Sequence, residues 1–377
     1  MKYGMSEEDD SALKAGQARF IAFGVGGGGG NAVEYMVNQG VQGVTFVCAN
    51  TDRQALDMLT VPNKFQLGVQ LTRGLGAGGD PEVGCAAAKE DEEEIKAILK
   101  DFDMVFITAG MGGGTGTGGA PVVARIAKEL GKLTVAVVTT PFKFEGEKRA
   151  KAAKDGIEQL SAHVDSIITI PNQKLLEIYP KLSMRDAFKK ADDVLLQGVN
   201  GLAKTIHSPG LINIDFNDIR TAMSAKGYAM MGIGRASGED RARQAAEKAI
   251  RSPLLDDLRL ENAQGLLVNI AASEVMMSEP DEIAEIVGSI TDLDQGNIFY
   301  GVVEDESIGD DDIQVTIIAT GLTLDTRPKV APRQPVAQPA TAAVASTDQV
   351  AQPTSGVKPM GGTNNKLDVS SYLKSRG

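Results

Sequence analysis

Short apolar runs alternate with amphipathic stretches over the first half of the chain. Each run is rich in Val and Ile, as is typical of the buried strands of a parallel sheet. These runs are residues 20–25, 44–50, 103–110, 133–141 and 166–171. Helical patterns lie between them, at residues 31–38, 81–100, 121–130 and 145–162. Strands that alternate with helices predict a doubly wound α/β sheet with its ligand site at the carboxyl ends of the strands.

A long helical pattern over residues 184–206, closed by Pro209 and Gly210, leads into a second α/β region. The second region predicts strands at 265–273, 297–305 and 313–321 and helices at 239–251 and 280–291. At this spacing we expect a smaller sheet with helices on one side. The predicted fold class is therefore α/β: a Rossmann-like domain with a parallel sheet, a central helix, and a second, smaller α/β domain.

The composition changes after residue 322. Residues 323–365 contain six prolines and no aromatic residue, and such a stretch buries too little apolar surface to order itself. Apolar residues return at 366–377, which favours a partner-binding peptide on a disordered tether, with a random polar tail as the alternative. The predicted units are a flexible leader at 1–18, a nucleotide-binding domain at 19–183, a central helix at 184–210, a second domain at 211–322, a linker at 323–365 and a tail peptide at 366–377.

The formal net charge of −12 argues against a nucleic-acid-binding protein, because phosphate neutralisation needs a basic surface. Cys48 and Cys85 have no metal-like spacing, and we expect buried thiols rather than a disulfide. His163 and His207 lack the partners of a zinc site or a catalytic triad. No run approaches the roughly 20 apolar residues that span a bilayer, so no direct membrane insertion is expected.

Two glycine-rich loops each follow a predicted strand and precede a predicted helix. The first, at residues 24–31, has five consecutive glycines, and the second occupies residues 110–119. Without Cβ atoms the backbone N–H groups can approach phosphate oxygens, and a following helix N-terminus adds a favourable dipole. Thr115 and Thr117 can donate hydroxyl hydrogen bonds to phosphate or cap the helix.

The first loop alone also fits a nicotinamide or flavin enzyme. Gly24, Gly26 and Gly29 match the GxGxxG pattern, and Asp52 lies near the place of a ribose-binding acid. Such an oxidoreductase has no need of the second loop, and neither histidine lies in an evident hydride-transfer site. The chain has no GK[ST] sequence of a P-loop. A nucleoside triphosphate held by both loops is therefore favoured, and a non-hydrolysing scaffold that binds partners through its tail is a third possibility.

The sequence GGGTGTG at residues 112–118 resembles the signature shared by tubulins and the bacterial FtsZ division GTPases. Further stretches resemble the same family in the same order along the chain. They are residues 24–33, 50–56, 74–84, 135–149, 163–176 and 213–234, with the tail sequence KLDVSSYL. The resemblance covers about residues 19–322 and implies the tubulin/FtsZ fold.

This resemblance implies a GTPase of bacterial cell division that polymerises head to tail, forms the cytokinetic ring and is activated by polymerisation. It implies GTP and GDP as ligands with Mg²⁺ beside the phosphates, although it assigns no protein ligand to the metal. It places the protein in the cytoplasm, at the midcell division site on the inner face of the membrane. There, residues 366–377 are expected to bind a membrane anchor of the FtsA-like or ZipA-like kind.

The resemblance also assigns nucleotide-binding residues. The phosphates fall to Gly27, Gly28, Gly29, Gly30 and Asn31 of the first loop and to Gly114, Thr115 and Gly116 of the second. Ala77, Gly78 and Gly79 form a loop that senses the γ-phosphate, Glu145 and Arg149 contact the ribose, and Phe188 stacks on guanine. Asp192 stands where the bacterial family usually has asparagine. Its carboxylate suits the N1–H and N2–H₂ donors of guanine at least as well, with a solvated residue beside Asp193 as the plain alternative.

The hydrolytic acids are expected outside the first domain, since residues 19–170 offer no evident acid for the γ-phosphate. Asn213, Asp215 and Asp218 lie in a stretch that resembles the family's synergy loop, which enters the pocket of the neighbouring subunit and positions the attacking water. Two acids three residues apart at a helix start fall on one face. From spacing alone a simple helix cap is favoured, and only the resemblance raises the catalytic role above it.

Overall fold

The computed structural model describes residues 18–207, 210–225, 227–252, 263–289 and 297–322. Its strands are β1 Phe20–Val25, β2 Val44–Asn50, β3 Asn63–Gln66, β4 Met104–Gly110, β5 Leu133–Thr140, β6 Ser166–Pro171, β7 Gly227–Ser237, β8 Gly265–Ala272, β9 Ile298–Glu304 and β10 Asp312–Leu322. Its helices are α1 Gly26–Asn38, α2 Arg53–Met58, α3 Val69–Thr72, α4 Pro81–Glu90, α5 Glu92–Leu99, α6 Thr115–Glu129, α7 Glu147–Ser161, α8 Asn172–Ile178, α9 Met184–His207, α10 Phe216–Met223, α11 Arg241–Ile250 and α12 Glu279–Gly288.

The ten strands within the described ranges form one sheet, in the order β3-β2-β1-β4-β5-β6-β7-β10-β8-β9. From β3 to β7 in this order each strand is parallel to the next, whereas β10 is antiparallel to both β7 and β8. The α/β fold class is confirmed. The expectation of a separate second sheet is wrong, because residues 166–168 of β6 pair with residues 227–229 of β7 and carry the hydrogen bonding into the second region.

Helices cover both faces of the central strands, and β1 is buried along its whole length. One face carries Phe20 and Phe106, packed edge to face at 6.1 Å between ring centroids, with side chains of α1 and α9. The other face carries Phe23 and Ile107, packed with side chains of α5, α6 and α7. Burial of each such side chain contributes about 1.5–3 kcal/mol. The sheet is therefore a rigid base that fixes the loops at its carboxyl edge.

Helices α1 and α6 begin earlier than the sequence pattern predicts, at Gly26 and Thr115. The glycines that were predicted to lie in loops form the first turns of these helices. The prediction used apolar periodicity, which glycine-rich helix starts do not have. The predicted helix over residues 81–100 is divided at Asp91. The buried carboxylate of Asp91 accepts a hydrogen bond from the Gly68 N–H at 2.7 Å, which ties the junction to the preceding loop.

The sequence pattern does not predict β7, nor the short elements β3, α2, α3 and α8. Glycines hide the strand pattern in β7, where Gly234 meets the backbone of α11. A Cβ atom at Gly234 would lie 1.9 Å from the carbonyl oxygen of Ala245, so the glycine is required for this close helix-to-strand packing.

Residues 1–17 of the predicted leader, the linker at 323–365 and the peptide at 366–377 lie outside the described residues. The boundaries proposed for the domains and the central helix stay predictions. Within the described ranges, no helix is both long enough and apolar enough to cross a membrane.

Candidate functional site

A cavity of about 450 Å³ opens at the carboxyl edge of the parallel strands, where the N-termini of α1 and α6 meet. Ten of the residues assigned from the sequence line it: Gly27, Gly28, Asn31, Gly114, Thr115, Gly116, Glu145, Arg149, Phe188 and Asp192. Its size is within the usual range of ligand sites, about 300–1,000 Å³. The doubly wound sheet therefore places its site where the alternation of strands and helices predicted.

The N-terminus of α1 is left open for an anion. Its cap residue, Val25, has an extended backbone and provides no side-chain hydrogen bond, and the first turn contains no acidic residue. The first N–H groups of a helix need partners, and the helix dipole favours negative charge there. A phosphate group would satisfy both requirements.

The glycines of the first loop have two different roles, close packing against the sheet and exposure to the cavity. A Cβ atom at Gly29 would lie 2.3 Å from the carbonyl oxygen of Thr108, so Gly29 is needed for close packing of α1 on β4. Gly27 has no atom within 4 Å of its Cβ position and faces the cavity. Gly29 and Gly30 do not line the cavity, so their assignment to the phosphates stays a prediction about their backbone N–H groups.

The second loop is braced by its own threonines. Thr117 accepts a hydrogen bond from the Gly112 N–H at 2.8 Å, which holds the loop in a turn where Gly112 has a φ of 104°. Thr115, the first residue of α6, lies with its hydroxyl oxygen 2.6 Å from that of Thr51. Gly114 provides no side-chain cap, so the start of α6 is open toward the cavity like the start of α1.

Phe188 lines the cavity and forms an aromatic platform with Phe142 and Phe144, which lie behind it. Phe188 packs edge to face on Phe142, with ring centroids 5.2 Å apart, and Phe142 stacks on Phe144 at the same distance. Asp192 lies one helical turn after Phe188. Burial raises the pKa of the Asp192 carboxyl to about 7, so this group is not a fully solvated helix residue. A flat base between an aromatic ring and a carboxyl is what the sequence assignment requires.

Glu145 and Arg149 form an ion pair at the cavity rim. The second carboxylate oxygen of Glu145 accepts a hydrogen bond from the Phe142 N–H at 2.9 Å, which fixes the rim to the aromatic platform. Asn172 also lines the cavity, and its buried Oδ1 has no hydrogen-bond partner among the described residues. Sequence reasoning did not single out Asn172, although a polar residue directly after β6 was a usable signal.

The comparisons with known proteins agree with this geometry. The model of the Tubulin/FtsZ family, GTPase domain, matches residues 19–180, and that of the FtsZ family, C-terminal domain, matches residues 227–323. The chain is 54% identical over 301 residues to the cell division protein FtsZ of Azotobacter vinelandii, an alignment that covers 79% of this chain and 76% of the relative.

The chain belongs to the FtsZ family.

Solved structures give the same result. The empty FtsZ dimer of M. jannaschii superposes with a TM-score of 0.78 at 44% identity, over 84% of this chain and 93% of that one. CetZ2 from Haloferax volcanii, solved as a GTPγS-bound protofilament, has a TM-score of 0.67 at 20% identity, over 81% of this chain and 93% of that one. At this low identity the similarity supports a common fold and nothing further. Because residues 19–180 match the GTPase domain of this family, the hypothesis that the first loop belongs to a dinucleotide oxidoreductase is rejected.

The loop with Ala77, Gly78 and Gly79 lies beside the FtsZ-type cavity but does not line it. Ala77 packs on the second glycine-rich loop, and its Cβ lies 2.8 Å from the place a Cβ would take on Gly114. Gly78 and Gly79 have positive φ angles and open space around them. Their role as a sensor of the γ-phosphate stays a prediction.

The predicted acids of the FtsZ synergy loop do not join this cavity. Asp215 caps α10 and Asp218 caps it reciprocally through the Asp215 N–H. The side-chain oxygen of Asn213 accepts a hydrogen bond from the Gly210 N–H at 2.9 Å. In a single chain these three residues therefore shape a turn. Among the described residues, no group of three or more His, Cys, Asp or Glu side chains is placed to hold a metal ion.

Proposed function

We propose that this chain is a GTP-dependent, self-polymerising GTPase that forms the cytokinetic ring of dividing bacteria. We further propose that hydrolysis occurs at the joint between subunits, where the synergy loop of one completes the nucleotide site of the next. One observation carries the proposal: the cavity and the acidic turn, which is formed by Asn213, Asp215 and Asp218, lie at opposite edges of the parallel sheet of the same molecule.

Two independent features support this separation. Helix α9 has 24 residues, which is about 36 Å at 1.5 Å per residue, with Phe188 and Asp192 near its start and the acidic turn beyond its end. Phe216, next to Asp215, packs on Phe20 at 6.2 Å between ring centroids. Phe20 begins β1, whereas the cavity lies where β1 ends. The acids therefore cannot reach the nucleotide of their own chain, and a second copy is the natural source of them.

Apolar residues are exposed at both edges. Leu211 is 61% exposed and stands directly before the acidic turn, with Ile212 beside it. Leu75 is 85% exposed and Met58 is also exposed, and both lie together with Asp52 and Gly74, next to the loop of Ala77, Gly78 and Gly79. Exposed apolar groups at two opposite ends favour a heterologous, head-to-tail contact, which repeats as an open filament.

The chemistry divides between the two subunits. On one, the N–H groups at the starts of α1 and α6 hold the phosphates and offset charge as it develops. On the other, Asp215 and Asp218 orient the attacking water and accept its proton. The side-chain oxygens of Asn31 and Thr115 line the cavity and would be available as ligands for Mg²⁺. When bound, the metal would neutralise part of the phosphate charge. Each catalytic site is therefore complete only in the polymer.

The place of action is proposed from the same family membership. We expect the filament in the cytoplasm, at midcell on the inner face of the membrane. Residues 366–377 would bind an FtsA-like or ZipA-like anchor, because a tethered apolar peptide suits docking in a partner groove.

The decisive experiment measures phosphate release from GTP against protein concentration, with sedimentation in parallel. We expect a threshold concentration below which release is slow, and pelleting with GTP but little with GDP. A specific activity that is the same in dilute, monomeric protein and in concentrated protein would overturn the shared site.

A further inference from the structure

Thr51 and Thr115 join the two halves of the nucleotide site. Their hydroxyl oxygens lie 2.6 Å apart, a short hydrogen bond that links the end of β2 to the first residue of α6. Thr51 is fully buried and Thr115 is nearly so. Thr115 also lines the cavity, whereas Thr51 does not. Thr51 therefore reaches the cavity only through the hydroxyl of Thr115.

The backbone of Thr51 is held in place from the other side. Its carbonyl oxygen accepts hydrogen bonds from the Thr72 hydroxyl and from the Gly76 N–H, each at 3.3 Å. Thr72 is itself buried, and its one hydroxyl hydrogen is shared between this contact and a shorter one, at 2.9 Å, to the carbonyl oxygen of Gly68. A side chain whose main chain is fixed in this way can aim its hydroxyl group in one direction.

The count of hydroxyl protons decides what this contact does when a nucleotide is bound. Each threonine hydroxyl has one hydrogen to donate and can accept from others. If Thr115 donates to a phosphate oxygen, the contact can persist only with Thr51 as donor and Thr115 as acceptor. The O–H of Thr51 then donates to Thr115 and the O–H of Thr115 donates to the phosphate, so the first bond polarises and strengthens the second.

We propose that Thr51 is a positioning residue that orients the hydroxyl of Thr115 onto the terminal phosphates of the nucleotide. The proposal rests on the proposed function, since it requires that this cavity holds a nucleotide. It adds a residue that lies behind the site and touches no ligand. A purely structural threonine at this position would instead contribute only to the stability of the core.

The test is a double-mutant cycle on Thr51 and Thr115. Binding of a slowly hydrolysed GTP analogue is measured at protein concentrations below the assembly threshold, for Thr51→Val, Thr115→Val and the double variant. Loss of one hydrogen bond predicts a roughly threefold to tenfold weaker affinity for Thr51→Val. Because Thr51 acts through Thr115, its substitution should change nothing further in the Thr115→Val background.

Two variants serve as controls. Thr51→Ser keeps the hydroxyl and should bind the analogue as the parent protein does. Thr45→Val removes a buried hydroxyl from the other end of the same strand and should leave binding unchanged. Thermal unfolding of each variant verifies the fold, and Thr51→Ala replaces Thr51→Val in the cycle if the latter does not fold.

Parent-like binding by Thr51→Val would overturn the proposal, and so would an equal loss in both backgrounds. Failure of the parent protein itself to bind the analogue would instead contradict the proposed function, so the two failures are distinguishable.

Discussion

The carboxylate of Asp215 accepts a hydrogen bond from the Asp218 N–H at 2.9 Å, and that of Asp218 accepts one from the Asp215 N–H at 3.3 Å. This reciprocal cap is sufficient to explain both acids in an isolated chain. The catalytic role is therefore separable from the capping role, because Asn caps a helix as well as Asp but cannot accept a proton from water.

Asp215→Asn should keep the fold and lose the hydrolysis. We expect a change in the free energy of unfolding below about 0.5 kcal/mol, because the cap is preserved. Phosphate release should fall by on the order of 10²-fold, the usual effect of removing a general base, while pelleting with GTP persists. Asp281→Asn, at an exposed helix start elsewhere, is the matched control. Normal phosphate release by Asp215→Asn would show that the catalytic assignment is wrong.

Gly27→Ala and Gly29→Ala should fail in different ways. A Cβ atom at Gly29 meets the carbonyl oxygen of Thr108 at 2.3 Å, so we expect a loss of about 1–3 kcal/mol in the free energy of unfolding. A Cβ atom at Gly27 meets nothing in the protein and projects toward the cavity. Gly27→Ala should unfold like the parent protein in urea but bind GDP more weakly. Equal unfolding midpoints for the two variants would contradict this division.

Asp192 should make nucleotide affinity depend on pH. Burial raises the pKa of its carboxyl to about 7, and only the ionised form can accept from guanine N1–H and N2–H₂ together, because protonation turns one of its two oxygens into a donor. GDP affinity should therefore rise with pH and level off above about 7, with a slope approaching tenfold per pH unit well below that value. Fluorescence titrations at several pH values measure this, and Asp192→Asn should flatten the slope. An unchanged slope in that variant would assign the effect to another group.

The same pKa predicts how stability changes with pH in the nucleotide-free protein. The folded-state pKa lies above the ordinary value of 3.8, so the folded protein retains a proton that the unfolded chain has released. The contribution of Asp192 is fully present below pH 4 and is lost as the pH rises through about 7. Urea unfolding of the parent protein and of Asp192→Asn at pH 5 and pH 8 should show a smaller pH effect in the variant.

Asn172→Leu should weaken GDP binding without weakening the fold. The buried Oδ1 of Asn172 has no partner among the described residues, and an unsatisfied buried acceptor costs about 1–3 kcal/mol. Removal of that acceptor should leave the free energy of unfolding equal or higher. A nucleotide that donates to Asn172 would lose this bond, so GDP affinity should drop by roughly tenfold. A destabilised variant with unchanged GDP affinity would mean that Asn172 has a structural role only.

Removal of residues 366–377 should separate anchoring from assembly. We expect the truncated chain to pellet with GTP as the full chain does, because the cavity and the acidic turn are both retained. Binding to an FtsA-like or ZipA-like anchor should be lost, as measured by co-sedimentation. Retained anchor binding would place the docking site elsewhere on the chain.

Much of the fold could be predicted because its signals are local. The apolar runs of β1, β2 and β6 coincide with the observed strands residue for residue, since a strand that is buried on both faces forms a nearly continuous apolar run, which marks its ends clearly. β7 escaped prediction because its glycines serve packing against α11 rather than the strand itself. The sequence also did not predict that all strands join one sheet, since the pairing of β6 with β7 joins residues about sixty positions apart in the chain.

The sequence by itself determined eight of the ten strands in the described ranges, the two glycine-rich loops, the family and most residues of the cavity, because each of these depends on a run of neighbouring residues. Only the tertiary structure decided that Gly29 supports packing while Gly27 faces the cavity, that Asn172 has an unsatisfied oxygen, and that Thr51 stands behind Thr115. It also placed the acids and the cavity at opposite edges of the sheet. Such relations depend on how distant segments pack, and no local pattern of hydrophobic or polar residues encodes them.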